Sequence, residues 1–479
     1  MASGIGRSVR HSACTADVLA LGQPLTPLVV WFRGKDLRLA DNPVLDRAIS
    51  LRQQHPATTD IVPFFCYDPR WMRPSRCGPF RARYLVETVD DLRRNLRALG
   101  SDLVVASGAP EEYIPKLVLP GTRCTVFAQG EVASEEVAAE RAVRRAVADF
   151  GTLELVWGNS NMYHPDDLRD VLDVNDVPSP ATKFMKLLEE REVGVREPLP
   201  APANGDLGVV DSIDLGIDDT ESTIRIDAVE EDPRRAFKTP GGETAALDRW
   251  RTYLDSHAVA SYFDTRNGMI GEDYSTKLGP ALAHGAISPR SVVWMTRRYE
   301  AEHGANKSSR WIEFHLRVRE YYKYFAGTHG DAIFRPGGPI RKRPAWRDDH
   351  EAFLRWKEGR TGWPLVDASM KELAATGFMS NRGRQIVASF LCHDLGLDWR
   401  LGARHFEWAL VDYDCDSNWG NWVAAAGLTG GRVNIFNVRK QSKQYDERGQ
   451  YVRLWLPELA DVPADEIHEP RPGALASVR

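Results

Sequence analysis

The chain has 479 residues, enough for at least two domains. It is 43% hydrophobic and 27% charged, with no apolar run long enough to make a membrane-spanning helix. The net charge of -5 gives no bulk signal for nucleic acid, so any such contact must come from a local basic patch.

Residues 1–26 carry Arg7 and Arg10 and no acid before Asp17, which reads as a flexible tail or a transit peptide. Leu28–Phe32 is a short apolar run that predicts a buried strand, and a polar loop follows from Arg33 to Asn42. Asn42 and Pro43 open a helix through Ile49, as N-cap and first helical residue. Ile61–Phe65 is the next strand. Phe80–Leu99 is amphipathic and helical, and Gly100 stops it. Leu103–Val105 and Thr125–Phe127 are strands, Glu135–Phe150 a helix, and Leu153–Trp157 the last strand. This alternation predicts an α/β domain with a doubly wound parallel sheet over about residues 27–165. Neither a Gly-x-Gly-x-x-Gly after the first strand nor a P-loop is present, which counts against a nucleotide bound in the usual way there. A ligand at the carboxyl ends of the strands stays open.

Residues 166–242 read as an interdomain linker. Within it, Pro198, Pro200 and Pro202 precede an acidic run from Asp206 to Asp232 in which Arg225 is the one base. Helical patterns then cover Ala245–Tyr253, Ser288–Glu300, Ser309–Phe325, His350–Glu358, Asp367–Thr376, Arg382–Leu395 and Gly402–Leu410. They predict an all-α domain over residues 243–470, irregular from Gly430, with a flexible tail over 471–479. The six cysteines show no C-x-x-C pair and no zinc spacing, so they read as reduced thiols in a cytoplasmic protein, with Cys415 a small buried filler.

Polar residues crowd into the helical half between Thr361 and Trp422. Any one pair there reads as a surface ion pair, but the whole set reads better as the wall of a large polar ligand sunk between helices. Asn381, Arg382 and Arg384 start one helix, and Asp412 and Asp414 lie in a later loop. An arginine paired with one of those carboxylates would fix both charges, either around a ligand or as a structural pair. Tyr274–Gly279 precedes Pro280 and has the makeup of a phosphate site at a helix start, or of an ordinary cap. Trp346, Trp399 and Trp422 are core fillers or, at suitable spacing, electron carriers. Arg335, Arg341, Lys342, Arg343 and Arg347, with no acid among residues 334–347, form a loop suited to phosphate backbone or to solvent.

Together these residues resemble the photolyase/cryptochrome family over Val29 to Leu459. Trp31–Arg38, Thr361–Ala368 and Asn381–Arg384 look like the family's opening loop and flavin signatures. Thr265–Met269, Asp273–Lys277, Gln441–Asp446 and Tyr451–Leu459 point to its DASH-type branch. The resemblance implies a non-covalent FAD, bent into a U, in the helical domain. It implies Tyr262 and Arg266 beside the cofactor, and Ser275, Thr276, Lys277, Leu278 and Gly279 at its phosphates. It further implies Asn381 and Arg384 at the site, Arg384 paired with Asp412, Asp414 at the flavin and Asn418 near its N5. Trp422, Trp399 and Trp346 would be the electron-transfer series, inner to outer. Glu131 matches a position that contacts a methenyltetrahydrofolate antenna in the family. Arg335, Arg341, Lys342 and Arg343 would meet DNA, single-stranded by preference.

Three departures bear on activity. His315 stands where the family's repair enzymes carry a lesion-binding acid, Val318 where they carry a tryptophan, and Ala424 where an aromatic is usual. Gly279 replaces a usual serine. A flipped dimer needs aromatic walls and polar contacts. The expected function is therefore a blue-light photoreceptor, monomeric, off the membrane, with a signalling partner. The alternative is a deoxyribodipyrimidine photo-lyase acting on single-stranded DNA. A nucleic-acid module without light chemistry is the third reading.

Overall fold

The computed structural model describes residues 27–55, 60–118, 120–173, 176–208, 229–342, 344–431 and 433–477. The tail over 1–26, most of the acidic run and Arg343 lie outside these residues. Five strands form one wholly parallel sheet: β1 Leu28–Phe32, β2 Ile61–Tyr67, β3 Val104–Ser107, β4 Cys124–Gln129 and β5 Gly151–Val156. Their order is β3-β2-β1-β4-β5, so the chain reverses direction of travel between β1 and β4. β1 and β2 are buried on both faces, which is why they read as unbroken apolar runs rather than alternating ones. Numbering helices of six residues or more, α1 (Pro43–Gln54), α2 (Pro79–Ala98) and α3 (Ser134–Ala146) cover the sheet. Asn42 caps α1 as expected, its side-chain oxygen accepting from the Val44 and Leu45 amides at 3.1 and 3.2 Å.

The helical half contains α4 (Ala181–Glu190), α5 (Glu243–Asp255), α6 (Pro289–His303), α7 (Lys307–His329), α8 (His350–Lys357) and α9 (Pro364–Thr376). It continues with α10 (Asn381–Ser389), α11 (Trp399–Ala409), α12 (Cys415–Ala425), α13 (Val438–Tyr445) and α14 (Gln450–Trp455). Several of these differ from the sequence reading. α4 falls inside the span read as linker, yet Phe184 packs on Tyr321 and Tyr324, so that segment is part of the helical core. The single helix expected over Arg382–Leu395 ends as a π-helical turn, Phe390–Asp394. The region after Gly430 is not wholly irregular. Asn437 caps α13, and Asp446 accepts from the Tyr451 and Val452 amides that begin α14. The end read as a tail is also tied down: Arg471 and Leu475 donate their amides to the carbonyls of Gly362 and Thr361, both at 2.8 Å.

The polar loop after β1 is the joint between the two halves. Leu39 and Ala40 donate their amides to Glu243 at 2.8 and 2.9 Å, and the buried Arg290 pairs with Asp41 at 2.8 Å. Gly285 sits at φ +65°, and a Cβ there would lie 2.0 Å from the Lys35 carbonyl oxygen, so only glycine lets the halves approach this closely.

Candidate functional site

Two polar regions flank that joint. The first is a cavity of about 830 Å³ at the carboxyl ends of β1 and β2, beside the switch point between β1 and β4. Arg33, Lys35, Glu131 and Glu136 line its sheet side; His284, Arg404, Glu407 and Trp419 line its helical side. Several of its charges pair within the protein. Arg76 reaches Glu407 at 2.6 Å and Glu135 at 2.7 Å, and Arg33 pairs with Glu140.

The second region is the helical site. Ser380 caps α10 by accepting from the Gly383 amide, which turns Arg384 inward. Arg384 donates to Asp412 at 2.9 Å and to the Met379 carbonyl at 2.9 Å. Asn381 is exposed at the first position of α10. Gly279 faces Asp412 directly, and a Cβ there would lie 2.7 Å from its Oδ2, so a larger residue would displace that carboxylate. The helix after Gly279 has only five residues, Gly279–Ala283, so its dipole is short. The local cation is instead Lys277, itself at φ +60°. Its ammonium is buried over the Tyr274 ring and donates to Ser275 at 3.2 Å. Burial pushes the Lys277 ammonium well below its ordinary range.

Sequence reasoning missed Arg249. It donates to the carbonyls of Thr276 and Ser275 at 3.1 and 3.2 Å and holds their loop in place. An arginine on an ordinary helical pattern gives no signal of bonds to a loop 27 residues on. Arg266 lies over the rings of Phe263 and Trp311 at 5.1 and 5.3 Å, and Arg382 bonds Asn267 at 2.9 Å.

Asp414 caps α12, its Oδ1 accepting the Ser417 amide at 2.8 Å. Burial acts against its charge, but Lys35 and Arg319 hold its carboxyl well below the usual carboxylate range. One turn along α12, Asn418 donates to the Ala403 carbonyl at 3.1 Å, which leaves its side-chain oxygen to face elsewhere. Trp422 follows, 3% exposed, with Trp356 at 6.3 Å and Phe406 at 5.1 Å, both edge-on. Trp399 is fully buried and packs on Trp419 at 5.7 Å. Trp346 is half-buried, with its indole nitrogen unpartnered. Trp356 and Trp419 were not singled out from the sequence.

His315 is committed internally. Trp311 donates its indole N–H to Nε2 at 3.2 Å, and the Tyr262 hydroxyl meets Nδ1 at 2.7 Å. Burial, helped by Arg266, lowers its pKa to about 4, so the ring is neutral. Indole only donates, so the ring proton sits on Nδ1 and is given to Tyr262. Val318 and Ala424 are half-buried. Among the basic-loop residues, Arg335, Arg341 and Lys342 are exposed.

Fit to FAD can be tested on the polar atoms left without partners. Arg266 Nε and Arg382 Nε are buried donors lacking an acceptor, and Asp412 Oδ1 is a buried acceptor lacking a donor. With the buried Lys277 ammonium, they ask for a ligand that brings anionic oxygens together with hydroxyl or ring N–H donors. A flavin dinucleotide brings both, so these residues fit it. Among the described residues, no group of His, Cys, Asp and Glu could hold a metal, and no helix is long and apolar enough to cross a membrane.

Two family models match the chain: "DNA photolyase" over residues 28–203 and "FAD binding domain of DNA photolyase" over residues 311–477. A Cryptochrome DASH from Ostreococcus tauri, chloroplastic/mitochondrial by name, is 45% identical over 93% of this chain and 86% of its own length. One from Gloeobacter violaceus is 42% identical over 92% of this chain and 88% of its own. The crystal structure of a Synechocystis cryptochrome superposes with a TM-score of 0.86 at 38% identity, covering 93% of this chain and 92% of that one.

Proposed function

The chain belongs to the photolyase/cryptochrome family, in its DASH branch, and from that premise we propose a blue-light receptor in which Trp422 serves as electron donor. Bound FAD supplies light absorption and a one-electron acceptor. Lys277, Arg266, Ser275, Thr276, Leu278 and Gly279 would hold its phosphate end, and Arg384, Asp412, Asp414, Asn418 and Asn381 its flavin end. The observation that carries the reading is α12: one helix presents Asp414, Asn418 and the buried Trp422 on successive turns. Trp399 and Trp346 would refill Trp422, and the Trp356 ring beside it supports a second branch. Replacing Trp422 with Phe is expected to cut photoreduction with a thiol reductant at least tenfold. Unchanged photoreduction would remove Trp422 from the path.

Repair of cyclobutane dimers in single-stranded DNA is the second reading. The exposed Arg335, Arg341 and Lys342 support DNA contact. Against repair, His315 spends both ring nitrogens on its neighbours, and Val318 and Ala424 offer no ring for a base to stack on. Dimers surviving blue light on single- and double-stranded oligonucleotides would exclude repair; their loss would establish it. A methenyltetrahydrofolate antenna at Glu131 is a further proposal. That carboxylate already faces Lys35 at 3.4 Å and Lys323 at 3.8 Å, so the ligand would compete with internal ions. The free cysteines Cys66, Cys77, Cys124 and Cys392, all buried, support a reducing compartment; the cytoplasm as that compartment, and a monomeric state, are proposals for fractionation and sedimentation. The signalling partner is a matter for co-purification in light and dark.

A further inference from the structure

We propose that Lys35 is a positioning residue that ties the charge of Asp414, and through it the flavin site, to the cavity at the strand ends. The proposal rests on the reading that Asp414 stands beside bound FAD.

The Lys35 ammonium has four carboxylates in reach: Glu136 at 3.1 Å, Glu131 at 3.4 Å, Asp416 at 3.5 Å and Asp414 at 3.7 Å. Glu131 follows β4, Glu136 belongs to α3, and the two aspartates begin α12. Thus one side chain, 12% exposed, touches the cavity wall and the flavin-side helix at once. The other cations nearby are spent differently. Lys323 reaches Glu131 at 3.8 Å, Arg33 is taken by Glu140 and two carbonyls, and Arg319 donates to the Ser160 and Leu282 carbonyls.

Four carboxylates therefore face two ammonium groups. A buried cluster with excess negative charge relieves it by retaining a proton. Asp416 Oδ1 and Glu136 Oε2 are buried and without a partner, so they are the atoms free to carry it. Asp414 differs, because one of its oxygens caps α12 and the other faces Lys35. Lys35 thereby divides the cluster into Asp416 and Glu136, which share a proton, and Asp414 and Glu131, which stay ionised. Without it, only Glu131 would keep an ammonium within reach, that of Lys323, and Asp414 would be left with the more distant charge of Arg319. By reciprocity, a ligand in the cavity that engages Lys35 loosens its hold on Asp414.

The test is a redox titration of the FAD-loaded protein followed by absorption, read as the ratio of reduced to oxidised flavin at a fixed potential. Lys35→Met should lower that ratio at least tenfold, while Lys35→Arg keeps it within about threefold. In an Asp414→Asn background the Lys35→Met effect should shrink below about threefold. If Lys35→Met does not fold, Lys35→Met with Asp416→Asn, which also takes one carboxylate out of the cluster, takes its place. No shift with Asp414 present, or a full shift with Asp414 gone, overturns the proposal. Failure of both variants to fold also overturns it, since Lys35 would then be a structural counter-ion. All three results leave the functional reading intact. A wild-type protein that takes up no FAD would sink that reading and the proposal with it.

Discussion

The cavity at the strand ends and the polar site of the helical half differ in how their charges are satisfied. In the cavity, Arg33, Arg76, Glu135, Glu140 and Glu407 find partners within the protein, and of the lining carboxylates Glu136 alone keeps a buried oxygen unpaired. At the helical site, Arg266, Arg382 and Asp412 each keep a buried polar atom unpaired. Self-paired charge makes a wall that stands without a ligand, and a ligand there must replace bonds already made. Unpaired charge makes a wall that is costly until a ligand arrives. The helical site is thus built to need its cofactor, while the cavity is built to tolerate one.

The sharpest way to break this contrast is at Asp412. Asp412→Ala strands Arg384, 24% exposed along its side chain, and should cost roughly 3–5 kcal/mol and abolish FAD retention. Urea unfolding and the flavin-to-protein absorbance ratio would check it, and retained FAD would contradict the contrast.

Next comes Glu372, fully buried beside the helical site, where it accepts from the Tyr451 hydroxyl at 2.5 Å. Burial raises its carboxyl from an ordinary 4.5 to about 8. The folded chain therefore holds a proton that the unfolded chain releases across that window. Stability falls as pH rises through it, by roughly 1.4 kcal/mol per unit, and levels off above about 8. Glu372→Gln does not titrate, so its stability relative to the wild type should climb between pH 5 and 8 in unfolding measured along a pH series. A constant difference would remove Glu372 from the linkage.

The smallest effect is expected on the cavity side. Glu135→Ala removes only the exposed partner of Arg76, since Glu135 is 59% exposed and Arg76 keeps the buried Glu407 at 2.6 Å. The cost should be about 1 kcal/mol, with FAD content unchanged. Loss of FAD in this variant would show that the two regions are less separate than their pairing implies.

The same contrast explains what could be read before the structure. β1 and β2 were legible because apolar runs ended by polar loops admit few other readings. An arginine–carboxylate pair was legible because opposite charges in apolar surroundings ask for each other, but its identity as Arg384 with Asp412 came from the family resemblance. α12 is absent from the helical patterns of the sequence because Asp414, Asp416, Ser417 and Asn418 look like turn residues, although Asp414 is a cap that starts a helix. α14 was missed because its six residues owe their helix to Asp446 and to the Tyr451–Glu372 bond, contacts made across the fold. Arg249 and Lys35 were missed for the same reason. Nothing local distinguishes a lysine that touches four carboxylates from one in solvent.

The clasp of Glu243 on the Leu39 and Ala40 amides has a consequence for the order of events during synthesis. The two partners are about two hundred residues apart, at a separation of 203 for Ala40. At roughly 5–20 residues per second, a ribosome needs on the order of 10–40 s to supply the second after the first. For that interval the sheet's first loop carries two backbone donors with no acceptor. Their slow exchange with deuterium would begin only when the helical half docks, so these two amides form a built-in clock for that step.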